Sequence, residues 1–411
     1  MRRHRLVSSL GTLTMLAGAV ACGTKDGAPV GLHPDSSALA GKGPSNPASV
    51  SDGQSIFRFD TFGDETFWTD TMRMHEVIRT GVSPATALSV GLKVDVNALP
   101  QAVRDGIKNH TVDLTSPATT VVLLKLGAVV GLHGQVDANN TLTRVGITCA
   151  LCHSTVDNSF APGIGSRLDG WPNHDLNVGA IIALSPTPTG AQKAVYNSWG
   201  PGKYDPRFNV DGKNMPVVIP PAFGLRDVKR EIYTGDGPVS YWNAYVAITQ
   251  MHGHGHFSDP RIGVDVDNTP PDLVSSKLDA LRAYQFSLAT PAALPSAFDA
   301  AAARRGREIF NDVANCASCH RGDVFTDVNQ NRLHSPAEVG QSAAYADRSA
   351  TKLYRTTPLR GLWHPPQLQG PYFHDGGAAT LGDVVAHYVT LFHLKLTAQQ
   401  QSDLVEYLKS L

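Results

Sequence analysis

Two copies of the pattern Cys-x-x-Cys-His constrain this chain more than any other feature of its sequence. The copies are Cys149-Ala-Leu-Cys152-His153 and Cys316-Ala-Ser-Cys319-His320. In such a motif two thiols bond to the vinyl groups of one haem, and the adjacent histidine is placed under the iron as its proximal ligand. The sequence therefore predicts two covalently bound haem c groups, with His153 and His320 as iron ligands.

The chain has five cysteines, and Cys22 is the only one outside these motifs. A zinc site would need further cysteine or histidine ligands to complete each motif. A thioredoxin-like cysteine pair would not require the adjacent histidine. No cysteine is left for an internal disulfide, although exported proteins often use them. Haem attachment is the interpretation that uses every cysteine and histidine of both motifs.

The amino terminus has the pattern of a bacterial export signal. Positive charge in the first five residues precedes an apolar stretch that ends at Ala21 and is shorter than the ~20 residues needed to span a bilayer. Small residues at Ala19 and Ala21 form a cleavage pattern, so residues 1–21 are predicted to be a signal peptide. Cys22 then stands where a bacterial lipoprotein carries its lipid, and ordinary cleavage before Cys22 is the alternative.

The predicted location is the periplasm, with the protein either soluble or lipid-anchored to the membrane through Cys22. Residues 22–55 are rich in Gly, Ala, Ser and Pro, which predicts a flexible tether. The formal net charge is -1 and the pI is near 7.0, so no overall positive field would attract nucleic acid.

The predicted fold class is mostly α, with two cytochrome c-like domains, long loops and one haem c in each domain. Residues 56–290 are expected to form the first haem c domain with extensions, and residues 291–411 the second. Pro291 and Pro295 mark the boundary because proline interrupts helices. Residues 56–80 have apolar side chains at the spacing of an amphipathic helix, and a turn signal beginning at Asp137 predicts a hairpin before Cys149.

The second predicted domain begins and ends with a helix. An alanine-rich helix is expected from Phe298 to Phe310, and Thr397 with Gln400 makes the capping box of a terminal helix. Gly306 and Phe310 resemble the residues at which the first and last helices cross in class I cytochromes c. We therefore expect these two helices to contact each other.

Two longer motifs occupy the carboxy-terminal part. They are Tyr354-Arg-Thr-Thr-Pro358-Leu-Arg-Gly361-Leu-Trp363 and Gly370-Pro371-Tyr372-Phe373-His374-Asp375-Gly376-Gly377-Ala-Ala-Thr380-Leu381. Over residues 300–411 the chain resembles bacterial di-haem cytochrome c peroxidases and MauG-type enzymes, and the resemblance is weaker over 140–260. It extends more distantly to di-haem rubber oxygenases. The resemblance implies that the haem near His320 transfers electrons, while the haem near His153 is the peroxidatic site.

The sixth ligand of the second iron is predicted from the same resemblance. No methionine follows His320, which leaves a tyrosine, a histidine or an open position. In the peroxidases the helix after the signature supplies a methionine, and in MauG-type enzymes a tyrosine occupies that place; the matching residue here is Tyr388. His387 and His393 are the alternatives. A tyrosinate ligand would lower the reduction potential, whereas methionine raises it.

The first iron is predicted to be open. The resting peroxidases carry a distal histidine after the first motif, and residues 168–174 match that region poorly. By rough alignment, Met251-His252-Gly-His254-Gly-His256 falls where the family keeps the acidic residue that helps break the O–O bond. His252, His254 and His256 are therefore candidate acid–base groups. Ligation of the first haem by one of these histidines or by Met251, and an exposed metal-binding loop, are the alternatives.

These features predict an exported di-haem c-type oxidoreductase that reduces peroxide, with electron transfer from haem to haem. The alternatives are a di-haem electron carrier and a haem oxygenase that acts on an organic substrate. The expected partners are hydrogen peroxide or dioxygen, together with a small redox protein or an organic electron donor.

Overall fold

The structure, a computed structural model, describes residues 47–365 and 368–411. The predicted signal peptide and Cys22 lie outside these residues. The α-helices are Pro47–Phe59 (α1), Met74–Gly81 (α2), Pro84–Ser89 (α3), Gln101–Lys108 (α4), Pro117–Lys125 (α5), Ala150–His153 (α6), Val178–Leu184 (α7), Gly190–Asn197 (α8), Phe208–Asp211 (α9), Val239–Tyr245 (α10), Leu278–Ser287 (α11), Ala300–Asn311 (α12), Ala343–Ala346 (α13), Leu381–Leu391 (α14) and Ala398–Lys409 (α15).

The strands are short and pair only two by two within the described ranges. They are Val94–Asp95 (β1), Leu132–Val136 (β2), Leu142–Ile147 (β3), Ser154–Val156 (β4), Ile164–Gly165 (β5), Arg167–Asp169 (β6), Lys203–Tyr204 (β7), Val217–Val218 (β8), His256–Asp259 (β9) and Val264–Asp267 (β10). β1 pairs with β5 in parallel, and the antiparallel pairs are β2–β3, β4–β6, β7–β8 and β9–β10. The mostly-α prediction is confirmed. None of the described helices has the length and apolar character required to cross a membrane.

The hairpin predicted before the first motif is present. β2 and β3 are antiparallel, with Leu132 opposite Ile147. The carboxylate of Asp137 accepts hydrogen bonds from the backbone N–H groups of Asn139 and Thr141, which closes the turn. β3 ends two residues before Cys149, so the hairpin positions the start of the haem motif.

Residues 56–80 do not form the single amphipathic helix that their spacing predicts. α1 ends at Phe59, a π-helix spans Thr66–Thr71, and α2 begins at Met74. Phe62 and Arg73 have positive φ angles of 55° and 54°, a left-handed conformation that cannot continue a right-handed helix. The apolar side chains are buried as expected, but on three separate segments.

α1 also begins within the predicted tether, because residues 47–55 belong to it. It packs against α11 at Gly53, where a Cβ atom would lie 2.0 Å from the carbonyl oxygen of Ala280. Only glycine allows this close approach of two backbones. The tether prediction therefore does not hold for residues 47–55, since burial against α11 stabilises a helix there.

α12 and α15 cross as the sequence predicts. A Cβ atom on Gly306 would lie 2.0 Å from the carbonyl oxygen of Asp403, so the two backbones touch at this point. Phe310 packs edge to face on Tyr407, with ring centroids 5.2 Å apart. Thr397 and Gln400 form the predicted capping box at the start of α15.

Replacing Gly306 with Ala is expected to lower the free energy of unfolding by about 3 kcal/mol, because overpacking at a rigid backbone outweighs the higher helix propensity of alanine. The measurement is denaturant unfolding followed by circular dichroism. Gly190→Ala is the matched control, since Gly190 also lies in a helix, α8, and has no atom within 4 Å of the added carbon. Equal stabilities of the two variants would contradict the close crossing.

The carboxy-terminal part also packs on the residues that precede Pro291. Arg348 is buried and pairs with Asp205 at 3.0 Å and with Asp211 at 2.6 Å. Tyr345 and Tyr354 share an apolar cluster with Val217. The Pro291–Pro295 boundary therefore separates chain segments that remain in extensive contact.

Candidate functional site

The first Cys-x-x-Cys-His motif folds into α6, a single helical turn directly after the hairpin. The Nδ1 atom of His153 lies 3.1 Å from the carbonyl oxygen of Pro220. Nδ1 is the nitrogen that donates to this oxygen, which leaves Nε2 as the nitrogen available to iron. Burial lowers the pKa of His153 to about 4, so the imidazole is neutral, as metal ligation requires.

An apolar cavity of about 270 Å³ opens beside this motif and is lined by Cys149, Cys152 and His153. Its walls are mostly aliphatic and aromatic. The side chains that bring polar groups to the lining are Trp68, Thr120, Thr148, Tyr204, Glu231, Tyr233, Trp242, Asn243, Gln250, Gln285 and Arg355, together with the motif itself. A flat apolar macrocycle attached through two thiols and one imidazole fits this lining, so the residues present suit haem c.

The second motif repeats the arrangement of the first. Cys316–Ser318 forms a short 3₁₀ turn, and Nδ1 of His320 lies 3.0 Å from the carbonyl oxygen of Phe325. Burial lowers the pKa of His320. Phe310 and Tyr407, at the helix crossing, belong to the core that packs against Cys316. The geometry again leaves Nε2 for iron.

Tyr388 lies on α14, near the second pair of cysteines. Burial, together with the nearby Cys319 and Cys316 thiols, raises its pKa to about 12. His387 is engaged elsewhere, because its Nε2 atom lies 2.9 Å from the carbonyl oxygen of Val339. His393 is exposed beyond the end of α14. Tyr388 therefore stays the predicted ligand, since it lies near the thiols of the second motif.

The histidine-rich loop does not reach the first cavity. His252 has a positive φ of 66° and stacks on Phe67 at 3.6 Å between ring centroids. His254 lies beside Gly63, and His256 is exposed and pairs with Asp265 at 2.8 Å. None of the three lines the cavity described here. The role of these three histidines as acid–base groups stays a prediction, and the structure places their side chains outside the cavity lining.

Two residues just before that loop do line the cavity, Gln250 and Met251. The side-chain oxygen of Gln250 accepts a hydrogen bond of 2.6 Å from the hydroxyl of Tyr204. The Gln250 side-chain nitrogen donates to Asn209 at 3.0 Å. The amide is thereby held in one orientation at the cavity wall. In the sequence, only the position of Gln250 directly before Met251 indicates that it could lie near the haem.

The segment after the first motif brings no second histidine to the cavity. Gly170 donates its N–H to the carbonyl oxygen of His153, and Asn173 donates to that of Cys152. His174 follows them but does not line the cavity, and among the described lining residues His153 is the only histidine. The poor match of residues 168–174 to a distal-histidine region agrees with this geometry.

Comparison with known proteins finds similarity to haem enzymes. The cytochrome c family profile matches residues 303–411. The methylamine utilization protein MauG of Methylophilus methylotrophus is 30% identical over 125 residues, which cover 26% of this chain and 36% of that protein. The hydrazine synthase subunit gamma of Kuenenia stuttgartiensis is 31% identical over 189 residues, or 37% of this chain and 53% of that protein.

A cytochrome-c peroxidase of Denitromonas iodatirespirans is 28% identical over 151 residues, covering 27% of this chain and 40% of that protein. The chain thus spans between about a third and a half of the length of these relatives. A solved structure of the Kuenenia stuttgartiensis hydrazine synthase matches 48% of this chain and 72% of its own, with 22% identity and a TM-score of 0.34. The two haem motifs, the carboxy-terminal signature and the curated relatives agree: this chain contains a cytochrome c domain and is similar to MauG-type enzymes and cytochrome-c peroxidases.

Proposed function

We propose that this chain is an exported di-haem oxidoreductase that reduces peroxide. One haem is attached to Cys149 and Cys152 and binds peroxide, and the other is attached to Cys316 and Cys319 and delivers electrons. The observation that carries the proposal is the cavity beside His153, whose described lining includes no second histidine. An iron with an open position binds peroxide, whereas a strong second ligand restricts it to electron transfer.

When bound, the haem iron supplies the redox chemistry that breaks the O–O bond. The chain holds the imidazole of His153 neutral and oriented through Pro220. Aliphatic walls exclude water from the cavity, which strengthens every electrostatic interaction inside it. The fixed amide of Gln250, held by Tyr204 and Asn209, presents a polar surface at the wall. In the second site Tyr388 would lose its proton to bind iron, as metal ligation lowers the pKa of a coordinating group.

Met251 favours a second candidate function, that of an electron carrier. It is 3% exposed and lines the first cavity, and its carbonyl oxygen accepts a hydrogen bond of 3.1 Å from Trp68. A thioether at the sixth position would close the iron to peroxide and raise the reduction potential. An oxygenase acting on an organic substrate would instead hold dioxygen stably in the same cavity.

We expect resting ferric protein to show a high-spin signal in electron paramagnetic resonance, and hydrogen peroxide to change its visible spectrum within seconds. The reason is that an open ferric iron binds peroxide directly, without prior reduction. Consumption of peroxide with a reduced small redox protein or organic donor is the activity measurement. A wholly low-spin resting spectrum with no response to peroxide would instead indicate the electron carrier.

The histidine-rich loop provides the matched comparison in that experiment. Because His252, His254 and His256 do not line the cavity, replacing all three with alanine should leave the peroxide response nearly unchanged. A fall in rate of about 10²-fold would show that one of them is the acid–base group after all. Both haems should stay attached in either case.

The proposed location is the periplasm, either in solution or anchored through a lipid on Cys22. Fractionation of cells that express the full-length chain, followed by mass analysis of the mature amino terminus, separates these outcomes. A mature chain that begins at an acylated Cys22 indicates a lipoprotein, and an unmodified cysteine indicates ordinary cleavage.

A further inference from the structure

One wall of the first cavity contains a buried carboxyl group with no hydrogen-bond partner. Glu231 is 5% exposed, and neither of its side-chain oxygens has a partner among the described residues. The backbone N–H groups of Glu231 itself and of Val239 approach it without completing a hydrogen bond. A buried carboxylate in this setting is unfavourable, so the site requires a proton or a bound group.

Arg355 reaches the same cavity from the carboxy-terminal signature. Its Nε atom donates to the carbonyl oxygen of Ile232 at 2.6 Å, and its backbone N–H donates to that of Tyr233 at 2.9 Å. Its Nη1 atom is buried and has no partner among the described residues. The guanidinium is thus anchored on the backbone directly beside Glu231, with an N–H group left for a ligand.

Local charges determine the protonation of this pair. Burial raises the pKa of Glu231 to about 8, and the positive charges of Arg355 and of Arg282 on α11 oppose that rise. Burial lowers the pKa of Arg355 to about 10, while Glu231 and Tyr233 act to raise it. Near neutral pH the carboxyl group is therefore within reach of its titration range, and the guanidinium remains charged.

A haem in this cavity brings two propionate carboxylates, which need positive charge or hydrogen-bond donors once they leave water. Arg355 is the only lysine or arginine among the described lining residues, and Glu231 is the only acidic one. We propose that Arg355 and Glu231 hold the propionate end of the first haem, and that Glu231 exchanges a proton with solvent when this haem changes oxidation state. The proposal rests on the haem placement proposed above, but not on peroxide turnover.

The proton that Glu231 takes up compensates the charge of the electron that the first haem receives. Reduction adds one electron to the first haem, from the second haem or from an added reductant, and removes one positive charge from the iron. A nearby carboxylate then binds a proton more tightly, so up to one proton from solvent joins Glu231 per electron. Reoxidation releases that proton. The reduction potential of this haem therefore falls as pH rises, by up to about 59 mV per pH unit, the one-electron equivalent of a tenfold change.

The test is a spectroscopic redox titration of the intact di-haem protein between about pH 6 and 10, a range that brackets the titration of Glu231. The first haem is identified as the one whose potential does not respond to Tyr388→Met. We expect its potential to fall with pH in the wild type and to become nearly independent of pH in Glu231→Gln. Glu231→Asp keeps a titrating carboxyl and should retain the slope. Glu308→Gln, an exposed carboxyl on α12, is the matched control and should change nothing.

Arg355→Gln should move the sloping region to higher pH, because loss of the positive charge raises the pKa of Glu231, whereas Arg355→Lys should leave it nearly in place. An unaltered slope in Glu231→Gln overturns the proton exchange, and an unaltered pH window in Arg355→Gln overturns the pairing with Arg355. Neither result depends on peroxide. Loss of turnover with an intact slope would contradict only the proposed enzyme activity, and absence of a haem at His153 would contradict the placement itself.

Discussion

Replacing Cys149 and Cys152 together with alanine is expected to remove one haem and to reduce peroxide turnover to background, a fall of at least about 10³-fold. In the proposed arrangement these thiols attach the haem of the His153 cavity, which supplies the redox chemistry of peroxide reduction. Pyridine haemochrome absorbance per chain measures the haem content, and peroxide consumption with a reduced donor measures turnover.

The matched variant replaces Cys316 and Cys319. It should also lose one haem, but the remaining first haem should still respond rapidly to peroxide, while repeated turnover fails because no haem delivers electrons. Wild-type protein with one haem per chain would contradict the central proposal. Equal loss of the rapid peroxide response in both double variants would show that the two sites do not have the separate roles proposed here.

Replacing Tyr388 with methionine is expected to raise the potential of one haem by a sizeable part of the ~0.8 V range that axial ligands span. A thioether stabilises ferrous iron, whereas an anionic phenolate stabilises ferric iron. The pKa of Tyr388 is raised by burial, to about 12. Once the neighbouring thiols become thioethers, their contribution to that shift disappears, which eases loss of the phenol proton to iron.

The controls for this prediction are His387→Ala and His393→Ala. His387 is engaged with the carbonyl oxygen of Val339 and His393 is exposed, so neither change should move the potential by more than a small amount. The other haem should be nearly unaffected in all three variants. A selective shift in a histidine variant, with none in Tyr388→Met, would assign the ligand to that histidine.

The local sequence is sufficient to predict features that depend only on residues close together in the chain. A haem motif places its thiols and imidazole within five consecutive residues, so its chemistry does not depend on the rest of the fold. The same applies to the hairpin turn at Asp137 and to the capping box of Thr397 and Gln400. Gly306 and Phe310 were predicted as a crossing point because the family resemblance supplied the partner helix.

Some backbone angles of the structure are not visible in the residue pattern. The helical spacing of residues 56–80 correctly predicted that the apolar side chains are buried. It did not predict that the segment is divided, which follows from the positive φ angles at Phe62 and Arg73. His252 also has a positive φ angle, and the three histidines of the loop do not line the cavity. Rough alignment with the family suggested acid–base groups in this loop, but an alignment does not show which way each side chain points.

By itself, the sequence predicted two haem attachment motifs with their proximal histidines and determined the mostly-α class, because these follow from bonds and contacts between residues close in the chain. The tertiary structure alone decided which side chains share the first cavity. Glu231 and Arg355 lie far apart in the sequence and meet only because Arg355 donates hydrogen bonds to the backbone of Ile232 and Tyr233. The protonation of Glu231 was equally beyond the sequence, since it depends on how completely the fold removes that carboxyl from water.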